Sequence, residues 1–345
     1  MGRVREHILR ELSTGPKTYW QLLAQGSIQP SLLIQTLQKL EEEGIVAYPS
    51  QAFALTEEGM GLFQRLGLKE RILGVCPRCR GRAHVVHPAL EGLLQEFKRI
   101  AAERPEATQE FDQGPIPPEN TLLRVVVLYE QCDLEGKDIL LLGDDDLTSV
   151  AAALTGLPKR LHVLEADPRL VEFLADLAQR YGWKGFQVER YDARWPLPPQ
   201  LRRSFDTFLT DPTETLLGFS LFLSRTAAGL KGKGSAGYFG LSHLEASREK
   251  WQEIQRRLLQ MNFVITDALR GFHEYALDPE GIMAGPYRVV TECPYPLPQP
   301  HLNWYTSTFF RLELLGDPRP YFEEAVSIGR DLYYDEEAYV TLPGT

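Results

Sequence analysis

Four candidate strands end at or just before acids, in "LLLGDDDLTSV" (140–150), "RLHVLEAD" (160–167), "FQVERYD" (186–192) and "FDTFLTD" (205–211). The first is the most unusual. Nucleotide-binding folds place a glycine-rich loop after the first strand, so that backbone N–H groups can approach a phosphate. Here a single glycine, Gly143, is followed by Asp144, Asp145 and Asp146. Three adjacent carboxylates repel a phosphate and attract a cation, and they raise one another's pKa unless a cation sits among them. Aspartates before a helix also cap its free N–H groups. Three in a row exceed what capping requires.

The other acids extend this chemistry. In folds that bind adenosyl-sulfonium compounds, an acid at the end of the second strand accepts the two ribose hydroxyls, and one after the third strand accepts the adenine amine. Glu165 and Asp167 stand in the first position, and Asp192 with Ala193, in "YDAR", stands in the second. Carboxylates suit both tasks because both need hydrogen-bond acceptors. An ordinary methyl donor carries a carboxylate that bare N–H groups would welcome. A decarboxylated donor keeps only an ammonium beside its sulfonium, and that is what an acidic first loop fits.

"TDPTE" (210–214) ends the fourth strand. The carbon beside a sulfonium is already activated, so the difficulty lies with an amine nucleophile, which is protonated at neutral pH. A carboxylate must take that proton and hold the nitrogen in line. Asp211 is the candidate base, although the same residue also suits the cap of a helix opening at Pro212. Asp206 lies at the other end of that strand and reads as structural. For a long cationic acceptor, Asp146, Asp211 and Glu214 are candidate contacts. So is Tyr334 in "GRDLYYDEEAYVTLPG", which mixes Asp331, Asp335, Glu336 and Glu337 with Tyr333, Tyr334 and Tyr339. Aromatic faces attract ammonium ions, but the same run also reads as a solvated acidic tail. His301, Trp304 and Tyr305 in "HLNWYTS" either line such a pocket or pack beside it.

The elements that must position these residues are legible as strand–helix alternation from about residue 119, which signals a parallel sheet covered by helices. To the four strands above are added "SAGYFGL" (235–241) and "NFVITDAL" (262–269), with helices such as "PRLVEFLADLAQRYG" and "EKWQEIQRRLLQM" between strands. Ligands in such sheets bind beyond the carboxyl ends of the strands, so the acids converge on one crevice. The expected fold is an α/β, Rossmann-like sheet of the methyltransferase and aminopropyltransferase type over 119–345. Residues 1–68 read as a winged-helix-like domain: three short helices, an alternating "IVAYPSQAFALT" ribbon and a closing helix. Residues 69–118 read as a connector with a CPRC turn.

The 345 residues exceed what one core usually holds, and 43% hydrophobic with 24% charged residues is ordinary for a globular protein. A net charge of -10 argues against general nucleic-acid binding. Over 1–67, six Lys and Arg stand against seven Asp and Glu, and the third helix ends on Glu41, Glu42 and Glu43. This suits packing or dimerisation better than a DNA reader. No apolar run would span a bilayer and the amino terminus does not resemble a signal peptide, so the expectation is a cytoplasmic protein without membrane partners. Cys76 and Cys79, with His84 and His87 following, could be part of a zinc site or a simple knuckle turn. No metal is expected.

Together "LLLGDDDLTSVA", "LEADPRL", "YDARWPLP" and "FDTFLTDPTETLLGFSLFLSRTAAGLKG" resemble the branched-chain polyamine synthases of thermophiles, the N(4)-bis(aminopropyl)spermidine synthases. The likeness spans the catalytic half, and the family also has an N-terminal winged-helix-like domain. It implies successive aminopropyl transfer from decarboxylated S-adenosylmethionine, as co-substrate rather than cofactor, to the central amine of spermidine. Methylthioadenosine leaves each time, and the second transfer gives a quaternary ammonium. Spermidine and related polyamines are the expected partners, with a homodimer or higher homo-oligomer as the assembly. Two rivals remain. An amino-methyltransferase would more often carry Pro-Pro and an aromatic where Pro212, Thr213 and Glu214 stand. A winged-helix ligand-sensing regulator would need a more basic surface.

Overall fold

The strand Asp138–Leu142 is buried along its whole length, as a parallel strand covered on both faces must be. It forms the centre of a computed structural model that describes residues 2–25, 28–69, 76, 78–79 and 81–342. The N-terminal part runs α1 (Arg3–Leu12), α2 (Tyr19–Gln25), α3 (Pro30–Glu42), β1 (Val46–Ala47), β2 (Ala54–Leu55) and α4 (Glu57–Arg65). Next come α5 (Glu91–Ala101) and α6 (Pro118–Glu130). The alternating part is β3 (Asp138–Leu142), α7 (Thr148–Thr155), β4 (Arg160–Glu165), α8 (Pro168–Tyr181), β5 (Phe186–Arg190), β6 (Thr207–Thr210), α9 (Leu216–Gly229) and β7 (Ala236–Leu241). It closes with α10 (Arg248–Gln260), β8 (Phe263–Glu274), α11 (Pro279–Ala284), α12 (Arg288–Thr291) and β9 (Thr306–Leu314).

Among the described residues, seven strands form one sheet in the order β5-β4-β3-β6-β7-β9-β8. The strands are parallel except β9, which runs antiparallel to both β7 and β8. The chain steps outward from β3 through β4 to β5, then returns to the other side of β3 with β6. That reversal opens a crevice at the carboxyl ends of β3 and β6. The local signals explain the helices. α8 opens on Asp167 as N-cap with Pro168 in its first turn, ends at Gly182 in the left-handed conformation, and buries Leu170, Leu174 and Leu177 at helical spacing.

No strand is expected from the sequence beyond 262–269, yet β9 inserts between β7 and β8. Its burial alternates only at its far end, because Ser307 and Thr308 are as buried as Phe309 and Phe310. The pattern is therefore masked until partners across the sheet are known. α5, inside the segment read as a connector, places Phe97 and Ile100 in the same core as Leu123, Ile139 and Val150.

The N-terminal helices and the β1–β2 ribbon pack on the larger part of the chain. Their core (Leu9, Trp20, Leu37 and others) continues into Leu244, Ile282, Val289, Trp304 and Tyr305. Trp20 Nε1 donates to the Pro298 carbonyl at 2.7 Å, and its ring lies 4.9 Å from that of Trp304. Glu41 accepts from the Tyr295 hydroxyl at 2.6 Å and Glu43 pairs with Arg5. Two of the three acids that end α3 are thus engaged within the chain.

Candidate active site

A cavity of about 710 Å³ lies at the strand ends. Among the described residues lining it, eight are acidic (Glu110, Asp112, Asp145, Glu165, Asp192, Asp211, Glu214 and Glu245), and the two basic ones are Arg190 and Arg194. Arg194 is already matched, its guanidinium and backbone N–H on Asp192. Acids therefore dominate the ionisable groups of the wall, which suits a cationic ligand.

At one end, Gly143 leaves β3 with φ of +76°, a conformation that a side chain would strain, and turns the loop across the cavity. Glu165 accepts the backbone N–H of Asp144 and of Asp167, each at 2.9 Å. These bonds fix its orientation and leave lone pairs for a diol. Asp192 and Ala193 follow β5 and line the same end. Burial pushes the Asp192 carboxyl up, but hydrogen bonds from Arg194 outweigh it and hold it below the usual range.

The structure corrects four of the sequence expectations. Asp144 does not line the cavity. It turns inward to cap α7, accepting the Ser149 N–H at 3.1 Å and the Ser149 hydroxyl. Asp167 is also a cap, fully buried, holding the Arg169 N–H at 2.9 Å and the Gln113 side chain at 3.0 Å. Asp146 lies behind the cavity wall, accepting the Ile116 N–H at 2.8 Å and pairing with Arg124 at 2.9 Å. Of the loop's three aspartates, Asp145 is the one that lines the cavity. Tyr334 is outside it too, with the Arg330 guanidinium over its ring at 5.1 Å, and Tyr333 takes the inward position. Both places are turns rather than strands, so no fixed period sets which neighbour faces the cavity.

Asp211 lines the cavity at the end of β6, with Oδ2 held by Arg124 Nη2 at 2.6 Å. Asp206, at the opposite end, pairs with Lys231 at 2.8 Å and accepts the Asp138 N–H. Glu214 sits beyond Asp211 beside two acids not foreseen from the sequence. Glu245 accepts the Tyr305 hydroxyl at 2.5 Å and the Val340 N–H at 2.9 Å. Asp112 accepts from Thr341 at 3.1 Å. Glu245 follows β7, so extending the rule of acids after strand ends by one strand would have found it. Asp112 and Arg124 gave no signal, since neither lies at a strand end.

Tyr275, Tyr305 and Tyr333 complete this wall, the first two edge to face at 5.1 Å. Trp304 packs against Trp20, and both Trp304 and His301 border a second cavity of about 300 Å³. In the C-terminal run, Asp335 and Glu337 engage Lys250 at 2.8 and 3.5 Å. His84 contacts Glu130 through Nε2 at 2.8 Å and the Arg82 carbonyl through Nδ1 at 3.2 Å. Among the described residues, no group of three His, Cys, Asp or Glu could hold a metal.

Crowded, desolvated carboxylates resist ionisation. Asp145 is pushed up to about 7, first by burial and then by Asp211 and Glu165, with Arg104 and Arg124 opposing. It is partly exposed because it faces the cavity, yet the surrounding protein still desolvates it. Asp112 also reaches about 7, through burial and Glu245. Glu214 is raised well above its ordinary value by burial, Glu245 and Asp112. A bound polycation lowers all of these, so polyamine binding near neutral pH is expected to release protons from the protein. Calorimetric titration with spermidine, without donor, in buffers of different ionisation enthalpy measures that release. Proton uptake would contradict the assignment. For stability the sign is the same: each acid raised in the folded state favours the empty protein at low pH, and that contribution is lost as pH rises from about 4 towards 7.

Residues 92–340 match the family model described as the branched-chain polyamine synthase A C-terminal domain. The N(4)-bis(aminopropyl)spermidine synthase of Thermococcus kodakarensis is 39% identical, covering 93% of this chain and 90% of that one. That of Methanocaldococcus jannaschii is 38% identical over 97% and 94%. The Thermus thermophilus branched-chain polyamine synthase, crystallised with N4-aminopropylspermidine and 5'-methylthioadenosine, superposes with a TM-score of 0.84. It is 37% identical, covering 97% of this chain and 92% of that one. The chain belongs to the branched-chain polyamine synthase family.

Proposed function

We propose that the protein transfers aminopropyl groups from decarboxylated S-adenosylmethionine to the central amine of spermidine. The first transfer gives N4-aminopropylspermidine and the second the quaternary N(4)-bis(aminopropyl)spermidine. The observation that carries this reading is the cavity wall of eight carboxylates against two guanidiniums. In each transfer the amine lone pair attacks the carbon next to sulfur, the C–S bond breaks towards sulfur, and methylthioadenosine leaves. The amine must first be free of its proton. No cofactor is required for this step, since the sulfonium is its own leaving group.

Gly143, Glu165, Asp192 and Ala193 hold the adenosine of the donor, and Asp145 faces its cationic part. Glu214, Glu245 and Asp112, with the tyrosine faces, take the ammonium groups of the acceptor. Asp211 is the base. A second reading of the base rests on Asp145, which lines the same cavity and whose carboxyl is pushed up to about 7 by burial and by Asp211 and Glu165. Incubation with either donor and spermidine, with products read by mass, tests the function. Methylthioadenosine release is expected only with decarboxylated donor and a polyamine that has an internal amine. Methyl transfer from S-adenosylmethionine would overturn the proposal.

The N-terminal part is a winged-helix-like domain that supports the acceptor wall instead of reading DNA: its core continues into Trp304 and Tyr305, and its third helix ends on acids that would repel phosphate. Sequence-dependent nanomolar binding to duplex DNA at physiological salt would refute this. The enzyme acts in the cytoplasm as a homo-oligomer. No helix among the described residues is long and apolar enough to cross a membrane.

A further inference from the structure

Behind the cavity wall lies a buried chain of polar groups that none of the proposed chemistry uses directly. Arg124, 2% exposed, holds Asp211 and Asp146 through its two terminal nitrogens. Its remaining Nε–H lies 2.8 Å from His273 Nε2. A guanidinium N–H can only donate, so Nε2 must accept and carries no hydrogen. A neutral imidazole then has its proton on Nδ1, which lies 2.7 Å from Ser307 Oγ and donates to it. Ser307 is itself 2% exposed and has its own hydrogen to place. The Tyr275 hydroxyl lies within hydrogen-bond reach of it at 3.2 Å. The direction is fixed from Arg124 through His273 to Ser307, and the last step to Tyr275 joins two hydroxyls, either of which can donate.

We infer that Arg124, His273 and Ser307 form a one-way hydrogen-bond relay that sets the Asp211 carboxylate at one end and the Tyr275 ring at the other. His273 is a positioning residue held as the neutral Nδ1–H tautomer. This rests on the aminopropyl-transfer reading only for its kinetic consequences. The geometry supports it at both ends. Arg124 pins Asp211 by Oδ2, and the bare Cα of Gly240 leaves space for Oδ1, which would come within 2.3 Å of any Cβ added there. Tyr275 lines the cavity, and its hydroxyl is tethered at the rear by Ser307. Everything charged that faces His273 opposes its protonation: burial is complete, and Arg124 and Arg82 are both cationic. A protonated ring would also set an Nε2–H against the Arg124 Nε–H.

The relay predicts an asymmetry that simple structural support does not. Cutting it at Ser307 frees Tyr275 and removes the acceptor of His273 Nδ1–H but leaves Arg124 on Nε2, whereas cutting it at His273 also unseats Arg124 and hence Asp211. Ser307→Ala and Tyr275→Phe are therefore expected to raise KM for spermidine about five-fold with kcat held, the worth of roughly one neutral hydrogen bond. His273→Leu is expected to lower kcat about ten-fold or more through misplacement of the carboxylate. His273→Gln, which can both accept from Arg124 and donate onward, should restore part of that loss. Nitrogen-15 NMR of histidine-labelled wild-type enzyme reads the tautomer directly, with the His273 signal identified among seven histidines by its loss in the Gln variant. The expected result is an Nδ1–H tautomer that does not titrate between about pH 5 and 9. An Nε2–H tautomer, titration within that range, or a Gln variant no better than Leu would overturn the relay. So would a kcat loss in Ser307→Ala equal to that in His273→Leu. If wild-type enzyme releases no methylthioadenosine, the transfer reading fails, and the NMR result still decides the relay.

Discussion

Replacing Asp211 by Asn is expected to lower turnover about 10²–10⁴-fold, the usual cost of losing a general base, while donor binding stays largely intact. The argument is one of proton inventory. Asn keeps the size of Asp and can still contact Arg124 Nη2, which now holds Oδ2 at 2.6 Å, but it cannot take a proton from the amine. Raising the pH should restore part of the rate, because more of the amine is then already free. Single-turnover assays that separate donor binding from transfer check this. Asp145→Asn should behave differently if Asp145 serves the ground state: a weaker hold on the cationic substrates, visible in KM more than in kcat. Near-normal turnover in Asp211→Asn, together with collapse in Asp145→Asn, would move the base to the loop.

Arg124→Met is expected to destabilise the folded protein by about 3–5 kcal/mol at pH 8, since removing one member of a buried ion pair strands its partners. Arg124 is flanked by Asp146, itself buried, and by Asp211. Asp146 is already pushed well above its ordinary value by burial, with Arg124 as the main opposing influence. Without that cation its folded pKa rises further above the unfolded value. A raised carboxylate costs nothing below its unfolded pKa and progressively more as pH climbs towards the folded one. The loss should therefore be smaller at pH 5 than at pH 8. Urea unfolding at both pH values measures it. A loss below about 1 kcal/mol at pH 8 would show that the pair is not structurally important, and equal losses at the two pH values would show that the ionisation of Asp146 is not its source.

The α/β alternation, the strand-end acids and the N-terminal helices and ribbon were legible because each is a local pattern. A run such as "DILLLG" cannot be solvated, and an acid after it must lie at the sheet's carboxyl edge. Asp145, Glu165, Asp192, Asp211 and Glu214 accordingly meet in one cavity. β9 was not legible, because its polar residues are buried by partners distant in the chain: Arg311 on Asp133 at 2.8 Å, and Ser307 on His273.

The sequence alone therefore determined the sheet's strands apart from β9, the edge of it that binds, and the sign of charge that the ligand must carry. Tertiary structure decided which acids face that ligand. Asp144, Asp145 and Asp146 are equivalent as letters, yet one caps α7, one lines the cavity and one pairs with Arg124. Likewise Asp112, Glu245 and Tyr275 join the site from distant segments, and Arg124 reaches Asp211 across 87 positions of chain. The physical reason is that residue type and local spacing fix the charge and direction of an element's end. The direction of each side chain in an irregular loop is set by whichever buried donor it must satisfy, and those donors come from elsewhere in the fold.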